Sequence, residues 1–294
     1  MDAAVEIVAE ECPAYDILSP AAQAAPVVLA SPHSGRDYRP EFLEASRLPL
    51  QILRKSEDCY IDELFGAAPQ LGVPLLRAHF PRAFVDPNRE PFELDPAMFA
   101  DALPDYVNTT SPRVGAGLGT IARLVTNGEE IYGEKLNFAQ VSTWIERNHR
   151  PYHAALAGLI MRTRARFGAC LLVDCHSMPS IGGPMDRDAG RQRVDFVLGD
   201  CHGTSCAPGL IDAAEAALAD MGYNVTRNIP YAGGYTTRHY GRPTEGVHAL
   251  QIEINRALYL DEDSLERRPY FRQLARHMGK LTAAIIEATS LIRS

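Results

Sequence analysis

Two histidines in this chain stand where polar chemistry could gather. His33 lies in Ser31-Pro32-His33-Ser34-Gly35, directly after an apolar run, and His176 lies in Asp174-Cys175-His176-Ser177 after another. Two imidazoles and one carboxylate form a common catalytic zinc shell, which leaves a fourth position for water. The carboxylate is expected from Ser56-Glu57-Asp58, with Asp58 chosen and Glu57 as the alternative. Acids there also suit the start of a helix, where the macrodipole favours negative charge. Taken singly, each histidine reads more readily as a hydrogen-bonded structural residue. Taken jointly at the ends of strands, with a base at hand, they read as ligands.

The base is Glu253, in the apolar run His248-Ala249-Leu250-Gln251-Ile252-Glu253-Ile254-Asn255-Arg256. A carboxylate in such a strand is costly unless it is paired, protonated or functional. A pKa raised by burial is what a general base near neutrality requires. The plain alternative is a salt bridge to Arg256 or another arginine. A third element is the run Phe80-Pro81-Arg82-Ala83-Phe84-Val85-Asp86-Pro87-Asn88-Arg89-Glu90. The Arg89 fork fits a carboxylate bidentately, and the Asn88 amide can donate to the same group. The plain alternative there is a solvated turn with Arg89 paired to Asp86 or Glu90. Arg82 is the candidate for stabilising a tetrahedral oxyanion. Arg238, after Gly233-Gly234, is a candidate second partner for a substrate carboxylate, and Arg123, just after the glycine loop, is expected to point inward when that loop closes.

Other polar residues carry blander readings. His149 and His153 are read as packing or capping residues, His202 as pocket lining without ligation, and His239 is left undecided. Cys175 and Cys201 read as small buried residues with no nearby base to make either a nucleophile. Trp144 and Tyr152 read as core.

Positioning these groups requires strands, and the sequence offers them. Val27–Ala30, Val73–Leu76, Ala169–Val173, Phe196–Leu198 and Ala249–Ile254 read as buried strands. Helical stretches alternate with them: Glu57–Ala68, Lys135–Asn148, Tyr152–Phe167, Pro208–Met221 and Tyr270–Ile292, with Pro151 expected to break or restart the middle one. Alternation of this kind predicts a three-layer α/β/α fold with a mainly parallel or mixed sheet and ligands at the carboxyl ends of its strands. One domain over 14–292 with an N-terminal tail, 1–13, is expected. The stretch from Asp101 to Gly133, with its glycines at 115, 117 and 119, lacks periodicity and matches no phosphate-binding loop. It reads as a flexible substrate flap.

Composition narrows the function classes. With 294 residues, 46% hydrophobic and 22% charged, the chain is ordinary globular material. A net charge of -8 argues against a nucleic-acid surface, although local arginines can still attract a small anion. No apolar run approaches the roughly 20 residues of a membrane span. The acidic N-terminus is unlike a secretory signal, so the six cysteines are read as reduced and the compartment as cytoplasmic.

These residues resemble a known family. Pro32-His33-Ser34-Gly35, Ser56-Glu57-Asp58, the Arg82-to-Arg89 run, Asp174-Cys175-His176-Ser177-Met178-Pro179, Gly233-to-Gly241 and His248-to-Glu253 look like the N-formylglutamate amidohydrolases. The resemblance runs in order from about Ala14 to the last helix. It implies a fold related to the zinc carboxypeptidases and to the succinylglutamate desuccinylase and aspartoacylase group. It also implies a histidine-degradation type of enzyme that uses Zn²⁺ to release formate and glutamate from a small anionic N-acyl amino acid. By that resemblance His176 is the strand-end ligand, Glu253 the catalytic glutamate, and Asn88-Arg89 the pair that grips a substrate carboxylate. Two departures stand out: Arg36 occupies the carboxypeptidase position for a glutamate ligand, and Pro87 replaces the leucine of the desuccinylase-like pattern. Another N-acyl-amino-acid amidohydrolase, an exopeptidase, or a non-catalytic carboxylate-binding protein are the competing expectations. A homo-oligomer is left open.

Overall fold

The computed structural model describes residues 12–125, 128–184, 186 and 188–292. The expected tail, 1–13, lies outside them apart from Cys12 and Pro13. Seven strands form one sheet: β1 (Tyr15–Leu18), β2 (Val27–Ser31), β3 (Leu75–Ala78), β4 (Cys170–Met178), β5 (Phe196–Gly199), β6 (Val225–Arg227) and β7 (Val247–Asn255). Their order is β1-β3-β2-β4-β7-β5-β6. The four central strands, β3, β2, β4 and β7, are parallel, while β1 and β5 run antiparallel to their inner neighbours and β6 follows β5. The sheet is therefore mixed, with its parallel part in the middle. The helices are α1 (Pro40–Ala45), α2 (Leu50–Arg54), α3 (Ile61–Leu64), α4 (Pro112–Gly115), α5 (Phe138–Phe167), α6 (Pro208–Asp220), α7 (Tyr235–Tyr240) and α8 (Phe271–Ala288). Among the described residues, no helix is long and apolar enough to cross a membrane.

Alternation along the strands divides the core in two. Val28, Ala30, Leu76, Leu172 and Ala249 pack on one face with Phe80, Phe84, Trp144 and Tyr152, beneath α5. Val27, Leu29, Leu75, Leu171, Val173, Leu250 and Ile252 pack on the other, with Leu210 of α6 and Leu274, Met278 and Leu281 of α8. In α8 the buried positions 274, 278, 281, 282 and 285 form the stripe that a helical period requires. On the α5 face, the apolar sequences of β4 and β7 give way to Asp174, His176, Gln251 and Glu253 as the strands run toward their carboxyl ends. The polar site is thus the continuation of a core face.

Several elements differ from the sequence reading. Pro151 sits inside an unbroken 30-residue α5. The buried stripe runs through both halves, Val141, Trp144 and Ile145 before the proline and Tyr152, Leu156 and Leu159 after it, so packing outweighs one lost backbone bond. The expected helix Glu57–Ala68 shrinks to α3, preceded by Tyr60 in a left-handed conformation with φ 64°. Glu57 and Asp58 therefore lie in the turn before a helix. The third strand is shifted two residues from Val73–Leu76, and β1 and β6, at the sheet's edges and only partly buried, lack the apolar run that marks the inner strands. The segment from Asp101 to Gly133 is packed down by buried Val107, Val114, Ile121, Val125 and Ile131. Backbone bonds tie it to the core as well, Asp86 N–H to the Thr120 carbonyl among them at 2.7 Å.

Candidate active site

Register brings the site together. β2 pairs with β4 only as far as Ala30 opposite Asp174. Beyond that point β2 turns into the loop carrying His33, while β4 continues against β7 and sets His176 opposite Glu253. His176 is thus inside a strand that outlasts its neighbour on one side. The Asp58 N–H donates to the His33 carbonyl at 3.0 Å, which locks the acidic turn to the same loop.

Three donor atoms converge there. His33 Nδ1 and His176 Nδ1 lie 3.1 Å apart, and Asp58 Oδ2 lies 3.4 Å from the first and 3.0 Å from the second. Ligands at about 2.0 Å on a tetrahedral centre stand about 3.3 Å from one another, so the spacing fits one small divalent cation. All three side chains are buried. The far ring nitrogens are committed to carboxylates: His33 Nε2 donates to Asp86 Oδ1 at 2.7 Å, and His176 Nε2 meets Asp174 Oδ2 at 3.0 Å. A proton on each Nε2 leaves both Nδ1 lone pairs facing Asp58, the outer-shell arrangement that orients metal-binding imidazoles. Arg256 fixes the acidic member, donating from Nη2 to Asp58 Oδ1 at 2.9 Å and from Nε to Ser177 Oγ at 3.1 Å.

Charge follows geometry. Burial would raise the Asp58 carboxyl, but its close contacts with the His176 and His33 rings and with the Arg256 guanidinium hold it well below its ordinary range. Asp86 is also pulled well down against its burial, by His33, Arg82 and Arg89. Burial pushes Glu253 up to about 7, partly opposed by His176 and reinforced by Asp58. Its carboxylate accepts from Gln251 Nε2 at 2.7 Å. Arg256 pairs with Asp58, so the simple Glu253–Arg256 bridge does not form.

The turn from Asp86 to Arg89 is held from several sides. Asp86 takes Arg82 Nη2 at 2.8 Å on Oδ2, and the Asn88 N–H at 2.8 Å on Oδ1. The buried Arg89 donates to the Leu118 and Asn88 carbonyls, each at 2.8 Å, and lies 3.9 Å from Asp86. Burial lowers the Arg89 guanidinium to about 10, because its nearest acid is too far away to offset desolvation fully. A cation in that condition favours an incoming anion. His153 and His149, on one face of α5, meet the carbonyls of Pro87 at 2.7 Å and Arg89 at 2.9 Å through their Nε2 atoms. Those two histidines buttress the turn, in keeping with a packing role.

The remaining sequence candidates are placed plainly. Asn88 spends its amide within the protein: Oδ1 accepts from the Thr236 N–H at 2.8 Å, and Nδ2 lies 3.1 Å from His176 Nε2. Arg82 spans Asp86 and Asp58, beside the cluster. Glu57 faces away and binds Tyr38 and Arg54. Arg238 is exposed, held by the Gly233 carbonyl at 2.8 Å. Arg123 pairs with Asp95 and Glu130 rather than turning inward, and Arg36 pairs with Asp62 and Glu63. His202 and His239 are exposed, outside the cluster. Sequence reasoning assigned no role to Asp86 and Asp174 as partners of His33 and His176, to Gln251, or to Arg256 as the anchor of Asp58. The one local signal was spacing: Asp174 precedes His176 by two, as Gln251 precedes Glu253, which puts each pair on one strand face.

A mixed α/β sheet with buried acids and imidazoles at the carboxyl ends of its parallel strands puts the polar cluster where open α/β folds bind their ligands. Residues 25–260 match the N-formylglutamate amidohydrolase family, and the chain belongs to that family. It is 30% identical over 242 residues to the N-formylglutamate deformylase of Pseudomonas aeruginosa, covering 81% of this chain and 84% of that protein. A second deformylase, from Pseudomonas putida, is 30% identical over 247 residues, covering 81% and 82%. The crystal structure of N-formylglutamate amidohydrolase from Ralstonia eutropha JMP134 superposes with a TM-score of 0.86 at 37% identity, covering 96% of this chain and 99% of that one. An Agrobacterium tumefaciens gene product shares the fold, with a TM-score of 0.65 at 20% identity and coverage of 93% and 96%.

Proposed function

We propose that this protein hydrolyses the formyl amide of N-formyl-L-glutamate to formate and L-glutamate with the help of a divalent metal. The observation that carries the reading is the meeting of His33 Nδ1, His176 Nδ1 and Asp58 Oδ2 within 3.0–3.4 Å, with Glu253 in register opposite His176. Those three atoms would hold a zinc ion, whose chemistry is to lower the pKa of water toward about 7 and to polarise a carbonyl. Imidazole and carboxylate donors suit zinc among the common divalent ions.

Glu253 takes a proton from water as the water oxygen bonds to the formyl carbon. Arg82, already beside the cluster, offers its guanidinium to the developing oxyanion. The carbon–nitrogen bond then breaks, and Glu253 returns the proton to the departing amine. Arg89 holds a substrate carboxylate, and its rigid backbone anchors turn binding energy into orientation. Arg238, at the exposed rim, is a candidate for the second carboxylate, and Asn88, beside the site, donates to the Asp174 partner of His176 as well as being a candidate for the substrate carboxylate.

The test is a hydrolysis panel of N-formyl, N-acetyl and N-succinyl glutamate, with and without chelator. Preference for the formyl compound and loss of turnover on chelation, restored by added zinc, are expected. Turnover indifferent to chelator overturns the metal role, and preference for a larger acyl group moves the assignment to another N-acyl-amino-acid hydrolase. Glu253→Gln should lower kcat by roughly a hundredfold or more while metal stays bound; normal turnover removes the base assignment.

A further inference from the structure

The Glu253 carboxylate does not stand alone on β7. Gln251, two residues earlier on the same strand face, donates from Nε2 to Glu253 Oε1 at 2.7 Å. The other end of that amide is fixed as well: Gln251 Oε1 accepts from the Gly234 N–H at 2.6 Å and from Thr237 Oγ1 at 3.4 Å. A backbone N–H can only donate, so the Gly234 contact decides which end of the amide carries oxygen and aims the NH₂ group at Glu253. Gln251 is buried, so water does not compete for these bonds.

The same turn touches the other half of the site. A Cβ on Gly234 would lie 2.2–2.5 Å from the Nδ2, Oδ1 and Cγ atoms of Asn88, so a glycine is needed for this approach. The Thr236 N–H then donates to Asn88 Oδ1 at 2.8 Å, and Asn88 Nδ2 donates to Asp174 Oδ2 at 3.5 Å, the carboxylate that also takes His176 Nε2. One short segment, 233–237, thereby braces the partner of Glu253 and, through Asn88, the Asp174 carboxylate that holds the ligand histidine.

We propose that Gln251 is a positioning residue for Glu253, keyed by the 233–237 turn, and that it pins Oε1 so that Oε2 is the oxygen that carries the proton. The inference rests on Glu253 being the base. It makes Gln251 act through Glu253 and through no contact of its own with substrate.

A double-mutant cycle tests this. Gln251→Met should lower kcat about 10–100-fold with KM within about twofold and metal content unchanged. Gln251→Glu keeps an acceptor for Gly234 but sets a second carboxyl against Glu253, so the two share a proton and the free base is lost; turnover should fall at least as much, and being near-isosteric it also serves where Gln251→Met does not fold. In a Glu253→Gln background either change should cost less than about threefold more, because the group it positions is already disabled. Equal losses in both backgrounds, an unchanged kcat, or a loss confined to KM would overturn the proposal. Normal turnover in Glu253→Gln alone sinks the base reading and this inference together, whereas a slow Glu253→Gln with an additive cycle sinks only the role of Gln251.

Discussion

Asp86→Asn removes almost no volume, yet the structure gives it a definite consequence. Three donors converge on the Asp86 carboxylate: His33 Nε2 at 2.7 Å and the Asn88 N–H at 2.8 Å on Oδ1, and Arg82 Nη2 at 2.8 Å on Oδ2. An amide offers one oxygen and one NH₂ group, so one of the two positions must set donor against donor. If the NH₂ turns to Arg82, the ion pair is lost and Arg82 is freed beside Asp58. If it turns to His33, the ring must accept at Nε2, which puts its proton on Nδ1, the atom that faces Asp58 and His176. Loss of an outer-shell carboxylate of this kind costs about 10–100-fold in metal affinity or activity. That is about 1.4–2.8 kcal/mol, from 1.4 kcal/mol per tenfold. Zinc affinity by chelator competition and kcat on N-formyl-L-glutamate should both fall into that window, with a fold retained by circular dichroism. Wild-type zinc affinity and turnover in Asp86→Asn would refute both the tautomer argument and His33 as a ligand.

Arg89→Ala should raise KM for N-formyl-L-glutamate about tenfold or more, the scale of a charged hydrogen bond, with a smaller effect on kcat; an unchanged KM contradicts its role as carboxylate anchor. Stability should also depend on pH through α5. Burial lowers His149 to about 4 and His153 to about 3, whereas the unfolded chain takes up a proton near pH 6.5. A base depressed in the fold contributes stability above its unfolded pKa, and that stability is lost as pH falls from about 6.5 toward 4, by up to about 1.4 kcal/mol per unit for each ring. Chemical unfolding at pH 7 and pH 5 should show a steeper loss in wild type than in His149→Gln, which cannot titrate; identical slopes would contradict the assignment.

The residues proposed as ligands, base and carboxylate anchor could be picked out from the chain because each sits in a local pattern: a histidine after a strand, a glutamate inside an apolar strand, an arginine in a proline-stiffened turn. The strands were legible because period-two burial on both faces of a sheet leaves runs of aliphatic residues in the sequence itself. What those patterns omit is distance. Asp86 is 53 residues from His33, and Arg256 is 198 from Asp58, so nothing local marks them as partners. Only the register of β4 against β7, and the early end of β2, decide that His33, His176, Asp58 and Glu253 share one space. Tertiary packing likewise carries α5 through Pro151, because burial of a continuous face outweighs local backbone preference over that length, while the left-handed Tyr60 delays the helix after Asp58. The sequence set which chemistry was available, and the packed sheet set which atoms of those side chains can reach one another.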